Sequence, residues 1–165
     1  MLGFRGTVTN KVDAKGRVSV PARFRALLEA EELTTIVCYP ALRGGVLEAG
    51  GRRLLEEIES MLARLEPFSE QWEFLSHALV GASEELALDS EGRIILPESL
   101  RAVAGIKDKV SFVGLGSRFQ LWEPRAWEHE YLQAKDRARD LRARFRAPPM
   151  FAPAYDLRGG GEGES

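Results

Sequence analysis

The chain has 165 residues, long enough to bury one sizeable core or two very small ones. Its 44% hydrophobic and 29% charged residues give an ordinary globular balance, and no apolar run approaches the roughly 18 residues of a membrane span. A net charge of −2 offers no general affinity for nucleic acid, and a single cysteine excludes an intramolecular disulfide and any multi-cysteine metal site.

The start, M-L-G-F-R-G-T, lacks the apolar core of a secretory signal, so a cytoplasmic location is expected. Charge is spread unevenly: residues 1 to 28 hold Arg5, Lys11, Lys15, Arg17, Arg23 and Arg25 against one acid, Asp13. Phosphate binding needs a local field rather than a basic total, and this segment supplies one. From Arg5 to Val12 the sequence alternates, with Gly6, Val8 and Val12 on one face and Arg5, Thr7, Thr9 and Lys11 on the other, which predicts a half-buried strand. Asp13 then opens a tight turn that Gly16 closes, since Asp favours the first turn position and Gly the fourth. Arg17 to Val20 resumes as a strand with Val18 and Val20 inward and Arg17 and Ser19 outward.

Pro21 suits a first helical position, and Ala22 to Glu32 reads as a short helix. Thr34 to Tyr39 is a buried strand containing Cys38, a structural thiol, and Gly45 to Glu48 a further strand after an R-G-G turn. Residues 52 to 66 place Leu54, Leu55, Ile58, Met61, Leu62 and Leu65 on one helical face. A helix from Ser69 to Val80 adds Trp72, Leu75, Leu79 and Val80 to the core. Strands at 82–88, 93–96, 109–114 and 118–122, with a turn at 89–92 and a helix from Pro97, follow the order of the first half. From Pro124 to Phe145 a helix spaces Trp127, Tyr131, Ala134, Ala138, Leu141 and Phe145 as a heptad-like stripe suited to a partner helix, internal or on a neighbouring subunit. The Pro- and Gly-rich residues 147–165 suggest a flexible tail.

The parallel between the halves is literal. D-A-K-G-R-V-S-V-P-A-R-F-R at 13–25 matches D-S-E-G-R-I-I-L-P-E-S-L-R at 89–101, with Asp13/Asp89, Gly16/Gly92, Arg17/Arg93, Pro21/Pro97 and Arg25/Arg101 identical. A unit of about 45 residues is marginal for an independent core. We therefore expect one β-barrel-like core made jointly by both repeats about a pseudo-twofold axis. The organisation expected is a first repeat at 4–49, a helical linker at 50–81, a second repeat at 82–123, a C-terminal helix at 124–146 and the tail.

Two D-x-x-G-R turns in this context resemble the MraZ family, a branch of the AbrB-like (SpoVT-AbrB, swapped-hairpin) transcription factors. The resemblance covers most of residues 4–146, with both signatures in order; the G-G-R-R stretch at 50–53 departs from it at the start of the first long helix. It implies an α+β, mainly β fold of tandem swapped hairpins, assembled as a ring-like homo-oligomer. It also implies a repressor that binds short direct repeats in double-stranded DNA upstream of its own division and cell-wall gene cluster and associates with the nucleoid. The turn arginines, here Arg17 and Arg93, would be the DNA contacts.

Read bottom-up, Asp and Arg four apart could instead simply pair and fix the hairpin. The neighbours separate the copies: Arg5, Lys11, Lys15 and Arg23 surround the first, whereas the matching positions in the second are Gly81, Ala87, Glu91 and Ser99. The first repeat is therefore expected to face DNA, with Arg17 reading bases and Lys15, Lys11, Arg5 and Arg23 holding phosphates. No cofactor, metal site, small-molecule substrate or membrane association is indicated. An enzyme is disfavoured, because the densest carboxylates, Glu56, Glu57 and Glu59, are expected on an exposed helix face without a nucleophile–base pair. The remaining alternative is an antitoxin-type protein-interaction module binding through the tail, whose anchors are Met150, Phe151 and Tyr155.

Overall fold

A computed structural model describes residues 3–145; the tail expected at 147–165 lies outside them. The described elements are β1 (Thr7–Lys11), β2 (Arg17–Ser19), α1 (Ala22–Ala30), β3 (Thr35–Pro40), β4 (Leu47–Gly50), α2 (Arg52–Ala63), α3 (Glu70–Ser76) and a π-helical turn (His77–Gly81). They continue with β5 (Glu84–Ala87), β6 (Arg93–Ile95), α4 (Glu98–Ala104), β7 (Lys109–Gly114), β8 (Phe119–Trp122) and α5 (Pro124–Arg144). Compactness divides the chain into Met1–Trp127, which holds both repeats, and Glu128–Ser165.

The strands of one repeat pair with those of the other. Six form an antiparallel sheet in the order β1-β7-β8-β4-β3-β5, and β2 and β6 form a separate two-stranded ribbon. β1 lies against β7 with Thr9 opposite Ser111, and β5 lies against β3 with Leu86 opposite Ile36. The same exchange fixes the ribbon, where Val18 faces Ile94, and the sheet centre, where Glu48 faces Gln120. Exchanging the repeats maps this pattern onto itself, which is the expected pseudo-twofold relation. The expected barrel is not formed: β1 and β5 end the sheet order, so the sheet is open and the ribbon and helices cover it instead.

The main core lies under the ribbon. Val18, Val20, Ile94 and Leu96 meet Phe24 and Leu28 of α1, Leu100 of α4 and the inner sheet residues Ile36, Cys38, Leu47, Phe112, Phe119 and Leu121. Burial pushes the Cys38 thiol up to about 12, as suits an inert core group. Phe4 joins this core edge-on to Phe24 and Phe119, tied down by paired backbone bonds with Gly116. Sequence reading began the strand at Arg5 and placed Gly6 inward; Gly6 is exposed, and the buried contact is made by Phe4. On the opposite sheet face, Val37 and Tyr39 pack with Leu54, Ile58 and Leu79.

Several boundaries shift for identifiable reasons. Pro21 and Pro97 have ψ of 139° and 149°, so each caps its helix rather than starting it, and the Pro21 carbonyl accepts the first helical bonds from Phe24 and Arg25. Glu32 has a φ of 57° and ends the turn after α1. Gly44 and Gly45, both at positive φ, belong to the turn, so β4 begins two residues later than expected. In α2 only Leu54 and Ile58 are buried; Leu55 and Met61 stay exposed because the helix rests on a narrow stripe. The π turn adds a residue to its ring and shifts the face, leaving Leu79 buried and Val80 exposed.

The unusual Gly50–Gly51 pair is explained by close packing: a Cβ on Gly51 would lie 2.7 Å from both Glu31 Oε2 and Leu33 Cδ1. Glu31 Oε2 accepts the Arg52 N–H at 3.1 Å, placing an acid at the start of α2. Glu57 is not on a bare face. Its Oε2 accepts from Ser117 Oγ at 2.7 Å and from Arg118 Nη2 at 2.9 Å, which anchors α2 to the β7–β8 loop and holds the carboxyl below its usual range.

From Tyr131 to Phe145 every residue of α5 and its end is exposed, including Leu141 and Phe145 of the stripe.

Strand exchange makes the repeats interdependent. Residues 1–50 expressed alone should give the circular dichroism of an unfolded chain, since β1 and β3 would lose their partners in β7 and β5. A cooperative thermal transition in that fragment would contradict the pairing.

Candidate nucleic-acid interface

The two D-x-x-G-R turns are built identically and sit at opposite ends of one ribbon. Asp13 O accepts the Gly16 N–H at 3.0 Å, and Gly16 takes the φ of +83° that closes the turn. Asp13 Oδ1 accepts the backbone N–H groups of Lys15 and Arg17, both at 2.9 Å, while Oδ2 accepts Arg17 Nε at 2.7 Å. The second turn repeats this: Asp89 Oδ1 takes Glu91 N–H and Arg93 N–H at 2.9 Å, and Oδ2 takes Arg93 Nε at 2.9 Å. The Asp–Arg pair of the bland reading is therefore present in both copies. An exposed ion pair contributes little to stability; what it fixes here is the direction of the guanidinium.

Because Nε is the bonded atom, the terminal nitrogens of Arg17 point away from Asp13 and take no partner among the described residues. The arginine is aimed rather than consumed. Arg93 differs: its Nη1 also lies 3.5 Å from Glu91 Oε2, the position held by Lys15 in the first copy. Hydrogen bonding to Asp89, opposed by burial and aided by the charges of Asp89, Glu91 and, least, Asp13, raises Arg93 above the ordinary arginine value. The first turn carries one net positive charge and the second one net negative charge.

Each turn is braced by the other repeat. Arg101 donates from Nε to Leu96 O at 2.9 Å and lies over Gly16, whereas Arg25 lies over Gly92 and donates to Glu91 O at 3.4 Å. Sequence comparison had matched Arg25 with Arg101 but assigned them no role; only the exchanged topology reveals one.

The remaining candidates divide between two places. Lys15 is exposed in the first turn, and Lys11 is exposed at the end of β1, directly opposite Lys109 of β7. Lys109 went unrecognised because cross-strand register is not legible in a single sequence. Arg5 and Arg23 line a cleft of about 430 Å³ with Gly3, Gly6, Phe24 and Leu27, which includes no residue of either turn. Among the described residues Arg5, Lys11, Lys15 and Arg23 form no ion pair. Among the described residues no helix is long and apolar enough to cross a membrane, and no cluster of three or more His, Cys, Asp or Glu could hold a metal ion.

The family model described as "MraZ protein, putative antitoxin-like" matches residues 3–42 and 79–145, segments that hold both turns. The transcriptional regulator MraZ of Parvibaculum lavamentivorans is 49% identical over 143 residues, covering 86% of this chain and 89% of the relative. That of Methylocella silvestris is 44% identical over 164 residues, 99% of this chain and the whole relative. The chain belongs to the MraZ family. The MraZ of Rickettsia bellii, 39% identical over 84% of this chain and 93% of its own length, also carries the name transcriptional regulator, a non-enzymatic role. The family model leaves 43–78 unmatched, the stretch that includes the G-G-R-R departure and helices α2 and α3.

Two measurements check this geometry. In Gly16→Ala, a Cβ would lie 2.8 Å from Leu96 O at a φ favouring glycine; denaturant unfolding should show a loss of roughly 1–3 kcal/mol. The second is a pH titration. Backbone hydrogen bonding to Arg17, then its side-chain bond, lowers Asp13 below the ordinary aspartate value of 3.8. A depressed folded pKa stabilises above the unfolded value and loses that contribution as pH falls through the folded value. The Arg17 Nε–H resonance should thus follow a titration whose midpoint lies below 3.8. A midpoint at or above 3.8 would mean that the contact is absent in solution.

Proposed function

We propose that this MraZ-family chain is a sequence-specific DNA-binding transcriptional regulator, acting as a repressor on short direct repeats upstream of its own division and cell-wall gene cluster. The observation that carries the reading is the aimed, half-exposed guanidinium of Arg17 on a turn with net positive charge. The relatives' name, transcriptional regulator, agrees with it. Arg17 offers two terminal nitrogens for O6 and N7 of a guanine in the major groove, a bidentate contact giving roughly 1–3 kcal/mol of discrimination. Lys15, Lys11, Arg5 and Arg23 hold phosphates, which positions the protein without reading sequence. Arg93, already shared with Glu91, contributes more to the ribbon than to the base contact.

One subunit makes too few base contacts to select a genomic site. A ring of copies would present the turn at regular intervals and engage successive DNA repeats, gaining avidity without new contacts. The exposed apolar residues of α5 and its end, Leu141 and Phe145 among them, are the surface for such self-association. Repression follows from occupying promoter DNA, which places the protein in the cytoplasm at the nucleoid. A second reading, an antitoxin-type module whose main partner is a protein, draws on the matched family's description.

The deciding experiment is binding of the purified protein to DNA from upstream of its own gene across a salt series, beside Arg17→Ala and Arg93→Ala. Wild-type binding should be tight, selective and salt-sensitive, with selectivity lost in Arg17→Ala and largely kept in Arg93→Ala. Lys11→Ala should weaken all duplexes alike and reduce the salt slope by about one. Equal loss in both arginine variants would remove the asymmetry, and no selective binding by the wild type would favour the protein-interaction module.

A further inference from the structure

One residue on the ribbon's outer face is not explained by charge. Ile95 is 60% exposed, although its strand neighbours Ile94 and Leu96 are buried at 1% and 0%. The alternation of β2 and β6 puts Arg17, Ser19, Arg93 and Ile95 together on the outward face, over Val18 and Ile94. Ile95 stands opposite Arg17, and Ser19 opposite Arg93. The backbone bonds from Val20 N–H to Gly92 O and from Leu96 N–H to Gly16 O flank these pairs, making them the non-hydrogen-bonded kind. In such pairs the Cα atoms approach to about 4.5 Å and the side chains are closest. The Ile95 side chain therefore stands beside the stem of Arg17.

The pseudo-twofold counterpart of Ile95 is Ser19, so the outer face carries two arginines, one hydroxyl and one aliphatic group. An apolar protein surface seated on Ile95 would also desolvate the unpaired ends of Arg17, at a cost no apolar partner returns. The DNA major groove has the matching composition: acceptors on guanine and phosphate for the arginines, and one apolar group, the thymine 5-methyl. It also admits a two-stranded β-ribbon. Successive bases are spaced 3.4 Å along a strand, comparable to the separation of Arg17 and Ile95 across the ribbon.

We infer that Ile95 is a specificity-determining residue that contacts the 5-methyl of a thymine within about one base step of the guanine read by Arg17. This deepens the proposed function and rests on the ribbon being its DNA-binding surface. It gives the second repeat a part in recognition through an apolar contact rather than through Arg93.

The test replaces each thymine of the upstream duplex in turn with deoxyuracil, which removes only the methyl group, and measures affinity for wild type and Ile95→Ala. Ile95 is exposed, so the variant should keep its thermal transition and its elution volume. At one thymine per bound repeat the wild type should lose roughly three- to fivefold in affinity, the worth of one buried methyl. Ile95→Ala should bind the thymine duplex with that weakened affinity and be indifferent to the exchange. Selective wild-type binding that no exchange alters, or an equal loss in Ile95→Ala, overturns the inference and leaves the regulator reading intact. A smaller assembly in Ile95→Ala, with all duplexes weakened alike, overturns it in favour of contact between copies. No selective binding by the wild type overturns the regulator reading and this inference together.

Discussion

The antiparallel pairing of β2 with β6 is the constraint on which the rest depends. Three residues of each repeat, Arg17–Ser19 and Arg93–Ile95, meet around the central pair Val18 and Ile94, both essentially fully buried. That single register decides which side chains point into the core and which outward, since slipping it by one residue would invert both faces. It also brings the two D-x-x-G-R turns to the ends of one ribbon, so that Asp13 acts electrostatically on Arg93. The ribbon is short and could not persist alone. It is held by the exchanged sheet beneath it and by the arginines Arg25 and Arg101, each reaching across to the other repeat's turn.

Within this frame near-identical turns acquire different capacities through one position. Lys15 and Glu91 occupy the same place in their turns, and both donate a backbone N–H to the turn aspartate. Their side chains differ in consequence: Glu91 draws on Arg93, whereas Lys15 leaves the ends of Arg17 unengaged and adds a positive charge beside them. The fold tolerates both because the carboxylate–backbone bonds that close the turn are independent of that side chain. The two copies thus share one turn scaffold, while the first presents a cationic surface and the second a partly neutralised one.

Much of this was legible because it is local. The turn signature, the alternation that buries Val18 and Val20, and the charge around the first copy all depend on residues between Arg5 and Arg23. The repeat added a long-range inference, that the halves share one core, which the topology bears out. Non-local consequences were hidden. The barrel expectation failed because nothing local states that β1 and β5 remain unpaired with each other at the sheet's two ends. Phe4, packed on Phe24 and Phe119, lies outside any alternating run, and the roles of Lys109, Arg25 and Arg101 exist only once the register is known.

The carboxylates illustrate the same division. Glu31, Glu57 and Asp13 look alike in the sequence, yet one starts α2, one anchors that helix to the β7–β8 loop and one aims an arginine. In each case the acid is occupied by backbone N–H groups, a hydroxyl or a guanidinium, and for Asp13 and Glu57 these bonds hold the carboxyl below its usual range. An excess of acid in the sequence is therefore compatible with a basic working surface, because these acids are spent on the scaffold. The side chains of Lys11, Lys15 and Arg5, by contrast, form no ion pair among the described residues. The charge available to a partner is set by which groups the fold leaves unpaired, and in this chain those near the first turn are cations.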